Sequence, residues 1–347
     1  MIQVALIGCG RISDKHAEAI SRTEGLSLAA VCDLHEGKRS AKARALGVES
    51  FSDTFTLLDQ RPDIGLITLA IPSGAHFSAA MDLIPRKIPI LIEKPLTLSH
   101  ADAIQIVAKS EEHGTPVFVV KQNRLNPPVA ALLDLVHSGK LGRVLSVQAS
   151  VIWARHPEYY LADAWRLRRD LDGGVVWNQA SHYVDLVVQI LDKITIASAF
   201  GSNFLSPAES EDTVHAVFTS ETNQLGSVIA TTAARPKNFE GSLTVISEKG
   251  IVRVGGHALN VLERDTTGLM ASQLMEYSGD DVDSVYGEGH QGVYQDILSD
   301  INGGTNESQF QASKGVAVIQ LMEAIEISIR EKRTVELARQ MPGGGSS

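Results

Sequence analysis

The sequence predicts a doubly wound α/β domain followed by an α+β domain with a largely antiparallel sheet. Three observations carry that expectation. Up to about residue 122, short wholly apolar runs alternate with longer amphipathic stretches. Beyond it, apolar and polar positions interleave and tight turns follow closely on one another. The length, 347 residues, also suits two domains at roughly 150 residues each.

In the first half the apolar runs are Gln3–Ile7, Leu28–Cys32, Ile64–Ile71, Ile88–Ile92 and Val117–Val120. Apolar side chains on consecutive positions suit strands covered on both faces, as in a parallel sheet. Between them, Ile12–Thr23, Glu36–Leu46, Ala75–Ile84 and Ala101–His113 read as helices, the last capped by Ser99 and stopped by Gly114. Strand–helix alternation of this kind builds a doubly wound sheet.

After a helix through Leu132–His137 the period changes. Val144–Trp153, Thr213–Ser220, Gly226–Thr232, Ser242–Ser247 and Gly250–Val254 read as strands, with turns at Glu221-Thr222-Asn223 and Glu248-Lys249-Gly250. In the first of these, Leu145, Val147, Ala149 and Val151 alternate with Val144, Ser146, Gln148 and Ser150, as in a sheet with one wet face. Asn178–Leu191 and Val316–Arg330 read as helices. The expected organisation is therefore one domain over 1–122, a second over 123–337, and a flexible Gly/Ser tail over 338–347.

Composition narrows the function classes. Hydrophobic residues make up 44% and charged residues 21%, an ordinary globular balance that excludes disordered, collagenous and disulfide-scaffold proteins. With 31 basic and 41 acidic residues the net charge is −10, which argues against nucleic acid or an anionic membrane as partner. The two cysteines, Cys9 and Cys32, are too few for a disulfide framework or a cysteine zinc site and read as free buried thiols. No basic-then-apolar leader opens the chain, and the longest apolar run falls far short of the ~20 residues needed to span a bilayer. The expected location is the cytoplasm.

Gly8-Cys9-Gly10-Arg11-Ile12-Ser13 directly follows the first strand and opens the first helix. Gly8 permits a tight turn, and Gly10 lets a pyrophosphate approach backbone amides at a helix N-terminus. Ser13 replaces the usual third glycine and is small enough for close helix–strand packing. Asp33 ends the second strand, where an acid that accepts from ribose hydroxyls belongs. Its charge repels a 2′-phosphate, which favours NAD over NADP. An ordinary strand–turn–helix with an exposed aspartate is the plainer alternative.

Two further clusters carry chemistry. Glu93-Lys94-Pro95 follows the Ile88–Ile92 strand at the carboxyl edge, where open α/β sheets bind ligands. Beside an oxidised nicotinamide, a lysine is pushed toward its neutral, basic form by the ring's positive charge and by burial. Pro95 keeps Lys94 extended and permits a cis bond. In isolation, Glu-Lys-Pro is also a common surface turn. The second cluster runs from Gly173 to Asp185, where helical spacing sets Asn178, His182 and Asp185 on one face. A carboxamide and an imidazole there could bind and deprotonate a hydroxyl, although a lone histidine is as readily a core residue. No His-Glu-x-x-His pattern exists, and no metal is expected.

With Gly-x-Gly first, Glu-Lys-Pro after the fourth apolar run and Gly-Gly-x-x-x-Asn-x-x-x-His opening the second half, the chain resembles the Gfo/Idh/MocA oxidoreductases from about Ile2 to Leu337. The resemblance implies a Rossmann domain, a second domain whose open-faced sheet supports a homotetramer or homodimer, and pyranose or cyclitol substrates. It makes Lys94 and His182 the candidate catalytic residues, and Trp165-Arg166 a pair that reaches the cofactor. Asn178 stands where the family usually has Asp, which weakens an Asp–His relay and favours Lys94 as the base.

Finer features look like one branch, the Wlb-type UDP-N-acetylglucosaminuronate 3-dehydrogenases of bacterial polysaccharide assembly. The matching pieces are 120–124, 178–185, 236–242 and Ser284-Val285-Tyr286-Gly287-Glu288-Gly289-His290. On this reading Gly8, Gly10, Arg11, Ile12, Asp33, Ser73, His76, Glu93, Lys94, Gln122, Trp165 and Arg166 hold NAD. Lys121, Arg155, Tyr159, Asn178, His182, Lys237, Asn238 and His290 hold the UDP-sugar, with Tyr160 as a second stacking ring. Since that substrate is itself an anion, Lys94, Lys121, Arg155, Arg166 and Lys237 are expected to make a locally basic pocket. A 2-oxo acid that regenerates NAD in place is a further expected partner. The alternatives are a family member acting on a free sugar or inositol, and a non-catalytic dinucleotide sensor on a reused fold.

Overall fold

The computed structural model describes residues 1–271, 274, 289–303 and 307–337. The expected tail over 338–347 and most of the 284–290 motif lie outside them. In chain order the elements are β1 (Ile2–Ile7), α1 (Ser13–Arg22), β2 (Leu26–Cys32), α2 (Glu36–Leu46), β3 (Glu49–Phe51), α3 (Thr54–Gln60), β4 (Ile64–Leu69), α4 (His76–Leu83), β5 (Ile90–Ile92), α5 (His100–His113) and β6 (Val117–Val119). There follow α6 (Pro127–His137), β7 (Val144–Ile152), α7 (Pro157–Leu161), α8 (Arg169–Asp172), α9 (Val175–Asn178), α10 (Ser181–Ile190), β8 (Ile194–Ser202), β9 (Thr213–Ser220) and β10 (Leu225–Thr231). The chain continues through β11 (Glu240–Ser247), β12 (Gly250–Gly255), β13 (Val261–Asp265), α11 (Gly289–Gly303), α12 (Val316–Glu331) and β14 (Val335–Glu336).

The chain forms two compact units. The first comprises Met1–Asn126, Asp163–Gly173 and Ser284–Ile319; the second comprises Pro127–Ala162, Gly174–Asp283 and Gln320–Ser347. Unit 1 holds a wholly parallel sheet of order β3-β2-β1-β4-β5-β6, the doubly wound order with its switch point between β1 and β4. Val4, Leu66, Leu91 and Phe118 from its strands are buried with Ile20 of α1. Val293, Tyr294 and Ile297 of α11 and Phe310 complete the same core. Sequence-distant residues therefore finish the first unit's hydrophobic interior.

Unit 2 holds an eight-stranded sheet of order β13-β12-β11-β7-β10-β9-β8-β14. Only β7 and β10 pair in parallel; the other neighbours are antiparallel. The helices α9 and α10 pack on β7, β9 and β10, so one face is covered. Among the described residues no helix is long and apolar enough to cross a membrane.

Several expectations need correction. The run Ile64–Ile71 leaves the sheet at Leu69, and the chain passes through Pro72, which has no N–H for a sheet ladder, into a 3-10 turn over Ser73–Ala75. In β7 the inward position is Val144 rather than Leu145, since a bulge opposite Ile246/Ser247 inserts one residue and turns Leu145 outward. The helix expected over Asn178–Leu191 is two pieces, α9 and α10, broken at Gln179–Ala180. Ala180 N bonds back to Val175 O, a five-residue step that interrupts the regular ladder. Asn178 is therefore not on one continuous helical face with His182 and Asp185.

Candidate active site

The first unit's site is assembled from turns at the carboxyl ends of its parallel strands. After β1 the chain must turn sharply into α1, and Gly8 does so at φ +100. A Cβ there would lie 2.2 Å from the Ala70 carbonyl oxygen, so the close approach of the β1 and β4 ends requires glycine. Above Gly10, a Cβ would meet nothing within 4 Å, which leaves room for a ligand at the start of α1. Ser13 is fully buried and its hydroxyl donates to Gly10 O at 2.5 Å, pinning the turn.

Asp33 is positioned from both sides. Its Oδ2 accepts from Cys9 N and its Oδ1 from His35 N, each at 2.8 Å. The carboxylate thus lies next to the Gly8–Gly10 turn with lone pairs remaining for a ribose. Both cysteines are free and buried. Burial, aided by the Asp33 charge, pushes the Cys9 thiol up to about 11, which makes it a poor nucleophile. The empty space, the helix N-terminus and the anchored acid together fit a dinucleotide.

The next strand ends add the rest. Ser73, in the turn after β4, and His76, which opens α4, are both buried. His76 Nδ1 is 2.7 Å from the Pro95 carbonyl and Nε2 3.0 Å from that of Ile71, tying the β4 and β5 turns together. Burial lowers the His76 imidazole, against the pull of those two carbonyls. Lys94–Pro95 is a cis peptide, and Lys94 N donates to Glu93 Oε2 at 3.0 Å. After β6, Lys121, Gln122, Asn123 and Arg124 are all buried, an unusual run of polar side chains in a core.

The segment 163–173 belongs to unit 1. Asp163 accepts from Lys38 Nζ at 2.8 Å and from Arg166 Nη1 at 2.6 Å. Burial opposes the Asp163 charge, but the two cations outweigh it and hold the carboxyl below its ordinary value. Arg166 also lies 4.9 Å over the Trp165 ring. The Trp165-Arg166 pair is therefore a fixed feature of the dinucleotide-binding unit. Asp163, which clamps it, carries no motif and is visible only in three dimensions.

The second unit carries the other candidates. His182 and Asp185 are buried on α10, and Asn178 ends α9. Arg155 is stacked between Trp153, at 5.1 Å, and Tyr159, at 5.2 Å. Its Nη1 donates to Asn238 Oδ1 at 3.3 Å, and that oxygen also accepts Ala154 N at 2.9 Å. Arg155, Tyr159 and Asn238 are thus brought together, and Gln179 Nε2 donates to the Tyr159 hydroxyl at 3.4 Å. Tyr160 turns inward, buried with its hydroxyl 2.8 Å from Thr232 Oγ1, so it offers no exposed stacking ring. Lys237 is exposed. His290 is buried in unit 1 beside His16 and Glu93. Lys94 belongs to the first unit and His182 to the second.

Comparison with known proteins agrees with this geometry. Residues 2–121 match the oxidoreductase family with an NAD-binding Rossmann fold, and residues 129–253 match the GFO/IDH/MocA C-terminal domain. The crystal structure of the WlbA dehydrogenase from Bordetella pertussis, in complex with NADH and UDP-GlcNAcA, is similar at 32% identity with a TM-score of 0.90, covering 98% of each chain. D-apiose dehydrogenase from Paraburkholderia graminis is 25% identical over 344 residues, 96% of this chain and 89% of its own. Inositol 2-dehydrogenase from Rubrobacter xylanophilus is 26% identical over 292 residues, 79% of this chain and 76% of its own. With a Rossmann order of strands, a fitted dinucleotide site and a match along its whole length, the chain belongs to the GFO/IDH/MocA family of NAD-dependent oxidoreductases.

Proposed function

We propose that this dehydrogenase oxidises the C3 hydroxyl of UDP-N-acetylglucosaminuronate to the 3-keto sugar, within bacterial surface polysaccharide assembly. The observation that carries the reading is the likeness, over nearly the full chain, to a WlbA dehydrogenase crystallised with NADH and UDP-GlcNAcA. Bound NAD supplies the hydride acceptor. Gly8, Gly10, Arg11, Ile12 and Asp33 hold its pyrophosphate and ribose, and Ser73, His76, Gln122, Trp165 and Arg166 the nicotinamide half. Lys94 Nζ takes the hydroxyl proton, with His182 as the competing base. Lys121, Asn178 and Lys237 join the stacked Arg155, Tyr159 and Asn238 in holding the anionic sugar nucleotide. The protein works in the cytoplasm as a homotetramer or homodimer, and a 2-oxo acid reoxidises the NADH.

A second reading, oxidation of a free sugar or inositol, is favoured by the D-apiose and inositol dehydrogenases among the relatives. Calorimetric titration with UDP alone, followed by absorbance at the NADH band with a substrate panel, separates the two. The nucleotide-sugar reading expects saturable UDP binding and NADH formation with UDP-N-acetylglucosaminuronate. Turnover of myo-inositol or D-apiose without any UDP binding transfers the assignment to the second reading.

A further inference from the structure

Three side chains of unit 1 converge behind Lys94. His16 comes from α1, Glu93 from the turn after β5 and His290 from α11, and all three are buried. His16 Nε2 lies 3.0 Å from Glu93 Oε1, and His290 Nε2 lies 3.6 Å from the same oxygen. The other carboxylate oxygen, Oε2, takes the backbone N–H of Lys94 at 3.0 Å. Behind His16, Nδ1 is 2.9 Å from the Tyr294 hydroxyl, which is 3.0 Å from Thr68 Oγ1. The two imidazoles meet edge to face at 5.4 Å.

Burying a carboxylate costs several kcal/mol unless donors surround it. Burial therefore works against the Glu93 charge, but the contacts from His16 and then His290 more than offset it and hold the carboxyl well below its ordinary range. A carboxylate only accepts, so His16 donates to it from Nε2, while its Nδ1 shares a hydrogen bond with the Tyr294 hydroxyl, which is hydrogen-bonded in turn to Thr68. The result is a connected hydrogen-bond chain from Thr68 in the core of the sheet to the backbone of Lys94. It passes through His16 on α1, the helix that starts at the dinucleotide turn.

We propose that Glu93 is the positioning residue for Lys94, held in place by His16 and His290, so that the dinucleotide helix and the lysine keep one fixed geometry. His290 then acts through Glu93 rather than on substrate. The role rests on the reading of Lys94 as the base. Small displacements at such a group are costly, since a misplacement of ~1 Å can slow a reaction ~100-fold. The three ligand atoms also lie within 4.8 Å of one another, close enough to hold a metal ion. The hydrogen-bond distance between His16 and Glu93, with Oε2 given over to Lys94, favours the proton-sharing arrangement.

The test uses the full chain with Glu93→Gln, Glu93→Asp, His16→Asn, His290→Asn and Tyr294→Phe, beside Lys94→Ala. Three readouts are taken: the pH dependence of Lys94 acetylation by acetic anhydride, mapped by peptide mass spectrometry and needing no substrate; NADH affinity by fluorescence; and kcat separately from KM. The charged and ionisable groups that face the cluster are Lys15 and Glu18 of α1, Lys94 and Tyr294. Glu93→Gln is expected to lower kcat ~100-fold and move the Lys94 labelling curve to lower pH, since a neighbouring carboxylate favours the ammonium form, with KM and NADH affinity within ~3-fold. Glu93→Asp recovers part of the loss, and His290→Asn adds nothing in the Glu93→Gln background. Tyr294→Phe, which removes one hydroxyl, gives a smaller change of the same kind and keeps the test alive if a larger variant fails to fold. Unchanged labelling and kcat in these variants, with Lys94→Ala inactive, overturns the positioning role and leaves Lys94 as base. Wild-type turnover by Lys94→Ala overturns the base reading instead, and the labelling curves alone then decide the positioning. Stoichiometric zinc in the purified protein, lost in Glu93→Gln, replaces the proposal with a metal site.

Discussion

At the scale of single residues, burial and partners decide what each charged group contributes. His290 is held below its ordinary value of 6.5, first by burial, with the Glu93 carboxylate pulling the other way. The unfolded chain therefore binds this proton more readily than the native one, so stability is complete above pH 6.5 and falls as the pH drops below it. Glu93, held well below its ordinary 4.5, adds a second loss once the pH falls under that value. Urea unfolding followed from pH 8 to pH 5 is expected to be flat at first and then to weaken, by up to about 1.4 kcal/mol per pH unit for each proton taken up. His290→Asn removes one proton from that slope; an unchanged slope refutes the assignment. Asp33 and the Glu93-Lys94 pair were legible in the sequence because each directly follows an apolar run, and ligands bind at strand ends. His16 and Tyr294 were not legible, since what singles them out is the distant partner and not the neighbouring residues.

At the scale of elements, the turn from β1 into α1 is the most constrained piece of the dinucleotide site. Gly8→Ala forces a Cβ against the Ala70 carbonyl at 2.2 Å and strains a backbone at φ +100. The expected loss is about 3 kcal/mol or more, read as a fall in the urea midpoint. A midpoint indistinguishable from the parent's would show that β1 and β4 can move apart. Periodicity found the parallel strands readily because they are apolar on both faces. It missed β8, where small Ala197 and Ala199 point inward while Ile196 and Phe200 point out, so the larger apolar side chains mark the wrong face. It missed β3 because Phe51 is the only apolar residue of that short edge strand. The expected helix at Asn178 failed for another reason: the break at Gln179–Ala180 leaves no trace in apolar spacing.

At the scale of the whole molecule, the second sheet carries exposed large apolar side chains on one face. Cross-strand pairing sets Ile196, Phe200, Val217, Leu225 and Ile229 on it, and Phe200 is 80% exposed while Val217 and Leu225 are each 58% exposed. Side chains of this size are worth roughly 1.5–3 kcal/mol each when buried, which is the physical basis for the proposed homo-oligomer. Light scattering on Phe200→Glu/Val217→Glu is expected to give the mass of one chain, against a multiple of it for the parent. An unchanged mass would place the contact elsewhere. By itself, the sequence determined the class of both domains, the dinucleotide turn and the acid anchored beside it, and it singled out the lysine and histidine that the proposed function uses. These are local signals: a glycine after a strand, an acid at its end, a period of two or of apolar runs. Only the tertiary structure decided that 163–173 and 289–319 complete the first unit, that Asp163 clamps Lys38 and Arg166, and that His16 and His290 converge on Glu93. Those contacts join residues far apart in the chain, and their free energy comes from burial and charge pairing that exist only once the core has closed.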